Sequence, residues 1–383
     1  MLLPQIALKF STFFYTTVRW HFGLDLLSKM EQYLNLSTTA VISTDDMPTE
    51  ITDPRSRYIE ENVFYKTAQV ILLTLAVLIS LVGNSFSILV IKNATEIRTT
   101  TKIPMFSLAI CYICIDISFG VPLIGSTIKG TWPYGEVMCY GFGFGMVWFN
   151  TGSLCMLFLL NLDRFIAVIR PLHYDTVMTV SKISFLTALA WIFSVVFATL
   201  NAFLPYQRAF YKPDYLFCFF DPYTDEIMDL IGMSNVLILI VIPIGATILI
   251  YRKIYSVAKI HLQQIAAMNN RGLRGQNQKK DDRRRRADNK AAKAFLMVTV
   301  GFVLSWLPFI VAIGYEYVVN TEPPILPWWS ELCVIVGTSI NVVIYYWKNA
   351  AFRRPAQKLL PMRWRKVGPA EDETNAANSA VSN

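Results

Sequence analysis

An aspartate and an arginine, Asp163 and Arg164, stand side by side at the end of a long apolar run, with Phe165 after them. An ionisable group beside hydrocarbon is costly and is usually paired. The chemistry on offer is therefore electrostatic: a charge held by a partner, or a solvated charge at a helix end. Catalytic signatures are missing, with no HExxH, GxSxG or phosphate-loop pattern in the chain. Of the six cysteines, Cys111, Cys114, Cys155 and Cys333 fall inside apolar runs and read as small buried hydrophobes. Cys111 and Cys114 are spaced C-x-x-C, but no second pair or nearby histidine accompanies them, so no metal is expected. Cys139 and Cys218 lie at or beyond the ends of such runs. Neither a catalytic residue nor a cofactor is expected.

The elements that must position these groups follow from composition. The 383 residues are 54% apolar and only 16% charged, against roughly 25% charged in an ordinary soluble domain. A bilayer removes the problem of so much apolar surface. A crossing helix needs about 20 mostly apolar residues, and seven segments qualify: 66–92, 103–128, 137–168, 182–204, 228–256, 290–317 and 328–348. The expected fold is an all-α membrane protein, a seven-helix bundle. After it, 349–361 mixes Phe352, Leu359 and Leu360 with Arg353, Arg354 and Lys358, which suits a short interfacial amphipathic helix. No internal repeat is present.

Charge orients the bundle. The formal net charge is +8, concentrated at Lys279-Lys280, Arg283–Arg286, Arg353-Arg354 and Arg363–Lys366. These blocks flank apolar runs, which fits Lys and Arg staying cytoplasmic rather than nucleic-acid binding. The first connection carries Lys92, Arg98 and Lys102, the third Arg170, His173 and Lys182, and the fifth, 257–289, the basic block. The alternate connections hold Asp214, Asp221, Asp225, Glu226, Glu316 and Glu322. The N-terminal tail, 1–65, is thus expected outside and the C-terminus inside. Lys9 interrupts the early apolar stretch, so no secretory signal peptide is expected. Of the sequons at Asn35 and Asn93, only Asn35 lies on the side that glycosylation reaches. The basic connection and the polar end, 362–383, read as mobile.

Several motifs in order resemble the class A, rhodopsin-like, G-protein-coupled receptors over residues 66 to 354. They are Gly83-Asn84, Trp132-Pro133-Tyr134-Gly135 before Cys139, Asp163-Arg164-Phe165 followed by Pro171-Leu172, and Trp191. Further along stand Pro243 with Tyr251, Phe302-x-x-Ser305-Trp306-Leu307-Pro308, and Asn341-Val342-Val343-Ile344-Tyr345 before Phe352-Arg353. The resemblance implies that Arg164 pairs with Asp163, and with Asp288 at the base of span six. It implies a Cys139–Cys218 disulfide and a pivot at Pro308, with Trp306 and Phe302 one and two turns from it on the inward side. Outward movement of span six would then admit a heterotrimeric G protein beside Arg164, with Leu172, Tyr251, Asn341 and Tyr345 in the switch. The partners implied are a G protein, an extracellular ligand and membrane lipids.

The chain departs from the family in three places. Ungapped spacing puts Tyr112 where a span-two aspartate usually stands, with Asp116 one turn away and Asn84 and Ser153 as polar neighbours. Val342 replaces a proline, and Phe165 a tyrosine. The position that anchors amines is Met146, and the position of the retinal lysine is Ile335, so neither an amine nor covalent retinal is expected. Residues Phe217–Thr224 are similar to an opsin's outer loop. Phe142, Met146, Asn150, Phe220, Trp306 and Tyr315 are candidate pocket residues, apolar with few polar groups. A peptide is favoured over a lipid or small neutral ligand. The competing reading is a non-signalling decoy receptor, or an opsin relative without its lysine. A transporter would show paired halves and midplane charges.

Overall fold

A computed structural model describes residues 63–203, 209–213, 215–220, 241–270, 276–319 and 326–360, all within one unit of the chain. The helices are α1 Val63–Asn93, α2 Thr99–Lys129, α3 Gly135–Ile169, α4 Val180–Phe203, α5 Ile242–Asn270, α6 Gln276–Val319, α7 Leu326–Lys348 and α8 Ala350–Leu359. Six of them, α1 to α4, α6 and α7, are long and apolar enough to cross a membrane. The first part of the expected fifth span, the N-terminal tail with Asn35, and the residues after 360 lie outside the described set.

The bundle sorts its side chains as a bilayer demands. On α1, Ile71, Leu75, Leu78, Ile79 and Val82 are exposed, while Gln69, Ser80, Asn84 and Ser87 are buried. Polar groups inside a membrane protein face the bundle, where other protein groups satisfy them. Helix α3 runs through the centre and packs against α2, α4, α5 and α6, and α7 packs against α1 and α6. Helix α8 sits under α1 and α7 with Phe352 and Ala356 buried, and it continues through Pro355. Proline there removes one backbone bond. The apolar face and the Asn349 cap, whose Oδ1 accepts from the Ala351 amide at 3.1 Å, hold the helix together.

Two local features depart from straight helix. Residues Asp116–Gly120 of α2 form a π turn in which the Val121 amide bonds back to Asp116. Pro122 follows and lacks an amide for the ordinary bond, and the wider turn absorbs that break. At the outer end of α2, Gly130 takes the left-handed conformation with φ 74° that closes the helix.

Two findings modify the picture drawn from the sequence. The outer connection contains a hairpin, β1 Ala209–Lys212 antiparallel to β2 Phe217–Phe220, so among the described residues the fold is all-α apart from one two-stranded ribbon. The basic connection is helical for much of its length, because α5 continues to Asn270 and α6 begins at Gln276. Its residues are mostly strong helix formers, Gln, Lys, Arg and Ala.

Candidate functional site

The inner end of α3 holds the group with which the sequence reading began. Asp163 is fully buried and Arg164 is 5% exposed. Arg164 Nε donates to Asp163 Oδ2 at 3.1 Å, and Nη2 donates to the same oxygen. Nη2 also donates to Thr101 Oγ1 at 2.5 Å, and that hydroxyl donates to Asp163 Oδ2 at 2.8 Å. The other carboxylate oxygen accepts from the Tyr174 hydroxyl, which is 2.7 Å from Thr100 Oγ1. Tyr174 starts a one-turn helix, Tyr174–Val177, in the loop after α3. Burial, then the neighbouring Asp163 carboxylate, pushes its hydroxyl up to about 12, so it stays protonated and can donate. The guanidinium of Arg164 lies 5.7 Å over the Phe295 ring of α6. Its Nη1 is 3.6 Å from Asp288 Oδ1, so charges on α3 and α6 meet here.

One turn outward, polar groups tie α3, α5 and α6 together. The Tyr251 hydroxyl is 2.9 Å from Asn161 Oδ1 and 3.0 Å from the Ala292 carbonyl, and its single proton serves both. Asn161 Nδ2 donates to Thr299 Oγ1 at 3.1 Å. Tyr345 of α7 is buried between Phe295 and Phe352, with ring centroids 5.6 Å from each. Tyr112, Asn341 and Tyr345 line a small internal cavity with Asn84. Phe165 is half-buried against the small cluster of Val168, Ile254 and Ala292, and Leu172 is exposed.

The mid-bundle polar groups are rearranged relative to the spacing argument. Asn84 Nδ2 donates to the Ser80 and Thr338 carbonyls at 3.0 and 3.2 Å. Ser80 Oγ and Thr338 Oγ1 are 2.6 Å apart, and Thr338 Oγ1 is 3.4 Å from Asp116 Oδ1. Asp116 therefore joins Asn84 through Ser80 and Thr338. Tyr112 faces the cavity instead, and Ser153 donates to the Asn150 carbonyl of its own helix at 2.8 Å. Ser80 and Thr338 escaped the sequence reading, since isolated hydroxyls in apolar runs carry no local signal.

Toward the outside, Phe302 and Trp306 are 6.1 Å apart by ring centroid on the turns before Pro308. Trp306 leads to Phe309 at 5.5 Å, Phe309 to Tyr215 at 6.3 Å, and Tyr215 to Phe217 of the hairpin at 5.9 Å. Phe217 packs on Phe142 at 5.4 Å, and Phe142 also packs on Phe119 and Trp132. Phe142 is thus part of an aromatic seam joining the hairpin to α3. Asn150 donates its amide to the Met146 carbonyl at 2.8 Å, and Tyr315 is half-buried. Phe220 closes β2, and its side chain lies outside the described set. A disulfide joins Cys139 to Cys218 and fixes the hairpin to the start of α3.

One functional candidate was missed. Glu331 of α7 is fully buried, and neither carboxylate oxygen has a hydrogen-bond partner among the described residues. The signal was available, because Glu331 is the only charged residue between Trp328 and Trp347. An ionisable group inside a membrane is a site candidate by default. Burying an unpaired carboxylate is unfavourable, so Glu331→Gln is expected to raise the thermal midpoint of the purified protein by about 2–4 °C. A midpoint that falls would mean that the carboxylate is held by a favourable partner.

The chain matches the model of the seven-transmembrane receptor, rhodopsin, family over residues 83–344. It is similar to trace amine-associated receptor 13c of Danio rerio, 25% identical over 69% of this chain and 76% of that protein. It is also similar to the thyrotropin-releasing hormone receptor of Mus musculus, 24% identical over 83% of this chain and 85% of that one. Among solved structures, squid rhodopsin superposes with a TM-score of 0.74 at 19% identity, covering 88% of this chain and 97% of its own.

Proposed function

The chain belongs to the rhodopsin family of seven-transmembrane receptors, and from that premise we propose that it carries an extracellular, non-aminergic signal to heterotrimeric G proteins by outward movement of α6. The observation that carries this reading is the charge arrangement at the inner face. Arg164 is held by Asp163 on its own helix and faces Asp288 on α6. Moving the inner end of α6 outward separates Asp288 from Arg164 and leaves that guanidinium for a partner. Pro308 supplies a break in the backbone ladder about which α6 can pivot. A ligand drives the change only through its differential affinity for the two states.

In this reading the receptor sits in the plasma membrane with its N-terminus outside, and Leu172 and the basic inner segment face the G protein and anionic lipid. A peptide ligand is favoured over a lipid or small neutral molecule. Met146 offers no countercharge from α3, whereas Asp214, Asp221, Asp225 and Glu226 stand in the outer connection. A basic group on a peptide therefore meets negative charge in the outer connection.

The test is G-protein dissociation in cells across the α-subunit classes, wild type against Arg164→Ala, before and after peptide libraries. Basal or evoked dissociation with at least one class is expected, lost at least tenfold in Arg164→Ala at equal surface level, as loss of about 1.4 kcal/mol or more of coupling energy would give. Silence of the wild type with every class would favour the non-signalling alternative, consistent with Tyr112 and Val342 at switch positions.

A further inference from the structure

We propose that Arg98, at the start of α2, is a second latch on Asp288 and positions the inner end of α6 in parallel with Arg164. Asp288 divides its carboxylate between two helices. Arg98 Nη2 donates to Oδ2 at 3.2 Å, while Arg164 Nη1 stands 3.6 Å from Oδ1. The hydrogen-bonded contact is the one from Arg98. Arg164 has a prior claim on its charge, because its Nε and Nη2 are both committed to Asp163. Arg98 makes no other ion pair among the described residues.

Arg98 is also held in place. It is the residue on which α2 begins, with extended backbone at φ −61° and ψ 141°, and its carbonyl accepts the Thr101 and Lys102 amides. Its guanidinium lies 4.3 Å over the Tyr174 ring. Tyr174 in turn donates to Asp163 and is anchored by Thr100. A planar guanidinium stacked on an aromatic ring is oriented before it meets a carboxylate. The first and second inner loops together therefore present Arg98 to α6. Its side chain is 26% exposed, so the contact is partly screened, and its expected contribution is that of a modest ion pair rather than a buried one.

The consequence is that α6 leaves two cations, not one. Movement of α6 must break the Arg98 contact as well as the Arg164 contact. Anything that draws Arg98 away through the first inner loop then biases the bundle toward the open state without touching Arg164.

The experiment uses the full-length receptor with two readouts. One is basal G-protein dissociation in cells at matched surface level, which rests on the signalling reading. The other is emission of an environment-sensitive fluorophore on Lys293→Cys, an exposed position on α6, in purified receptor in lipid nanodiscs. The unsubstituted receptor labelled in parallel serves as the blank. Arg98→Ala is expected to raise basal dissociation about 2–5-fold, the range a partly exposed ion pair gives, and to shift the emission. Arg98→Lys keeps the charge but not the fork, and should fall between. Added to Asp288→Ala, Arg98→Ala should change neither readout further, because the shared carboxylate is already gone. Arg98→Gln takes the place of the alanine variant if that one does not reach the surface.

An emission and basal signal unchanged in Arg98→Ala overturn the latch. So does an increment on Asp288→Ala equal to that on wild type, which would mark Arg98 as structural only. A fluorophore shift without any G-protein response keeps the latch and removes the signalling reading. A response to Asp288→Ala with none to Arg98→Ala keeps that reading and removes the latch.

Discussion

Asp163→Ala is expected to destabilise the receptor by about 3–5 kcal/mol, the cost of leaving one member of a buried ion pair without the other. Asp163 is fully buried and accepts from Arg164, Thr101 and Tyr174. Its loss strands an arginine only 5% exposed, with Asp288 at 3.6 Å as the remaining carboxylate. The Tyr174 hydroxyl keeps only Thr100, so the loop after α3 loosens as well. The measurement is the thermal midpoint of the purified receptor, set beside basal G-protein dissociation. A lower midpoint and a raised basal signal are expected together, because the same carboxylate holds both the fold and the closed position of Arg164. Asp163→Asn keeps the shape and an acceptor oxygen, and should lose less stability while still raising the basal signal. An unchanged midpoint in Asp163→Ala would show that Arg164 is solvated at the membrane boundary and needs no partner.

The second large effect is expected at the outer face. Cys218→Ser should cost about 2–5 kcal/mol and strongly reduce the amount of receptor at the cell surface. The disulfide closes a long stretch of chain, with Cys139 and Cys218 79 positions apart in the sequence. It also holds β2 where Phe217 packs on Phe142 and Phe119, and Tyr215 on Phe309. Without it, the aromatic seam between the hairpin and α6 must be maintained by packing alone. Surface labelling of intact cells and thermal unfolding measure the loss. Cys139→Ser should behave alike, and the double variant should be no worse than either single one, since one bond is lost once. Additive losses would mean that the two sulfurs act separately. Normal surface level in Cys218→Ser would remove the bond from any structural role.

The sequence by itself determined the membrane crossings and their contents. Each span must be apolar over its whole length to cross hydrocarbon, so α1 to α4, α6 and α7 could each be read without knowing the others. The order of Asp163-Arg164, Trp306-x-Pro308 and Asn341–Tyr345 was legible for the same reason, as each lies within one helix. Glu331 was legible too, being a single charge in an apolar run, and was overlooked.

Only the tertiary structure decided which of these groups meet. Counting along α2 put Tyr112 in the polar core. Hydroxyls from α1 and α7 meet Asp116, one turn further along the same face, at Ser80 and Thr338, while Tyr112 faces the cavity. Which neighbouring helices bring hydroxyls to that face is set by packing, and no composition or period announces it. The hairpin was equally hidden, because its strands are four residues each and read as one more aromatic stretch of loop. The same holds for the charge with which the sequence reading began. Arg164 beside Asp163 was visible in the chain. That Asp288 is shared with Arg98 was not, since it depends on the ends of three helices converging, and Coulomb energy is set by distance in space rather than along the sequence.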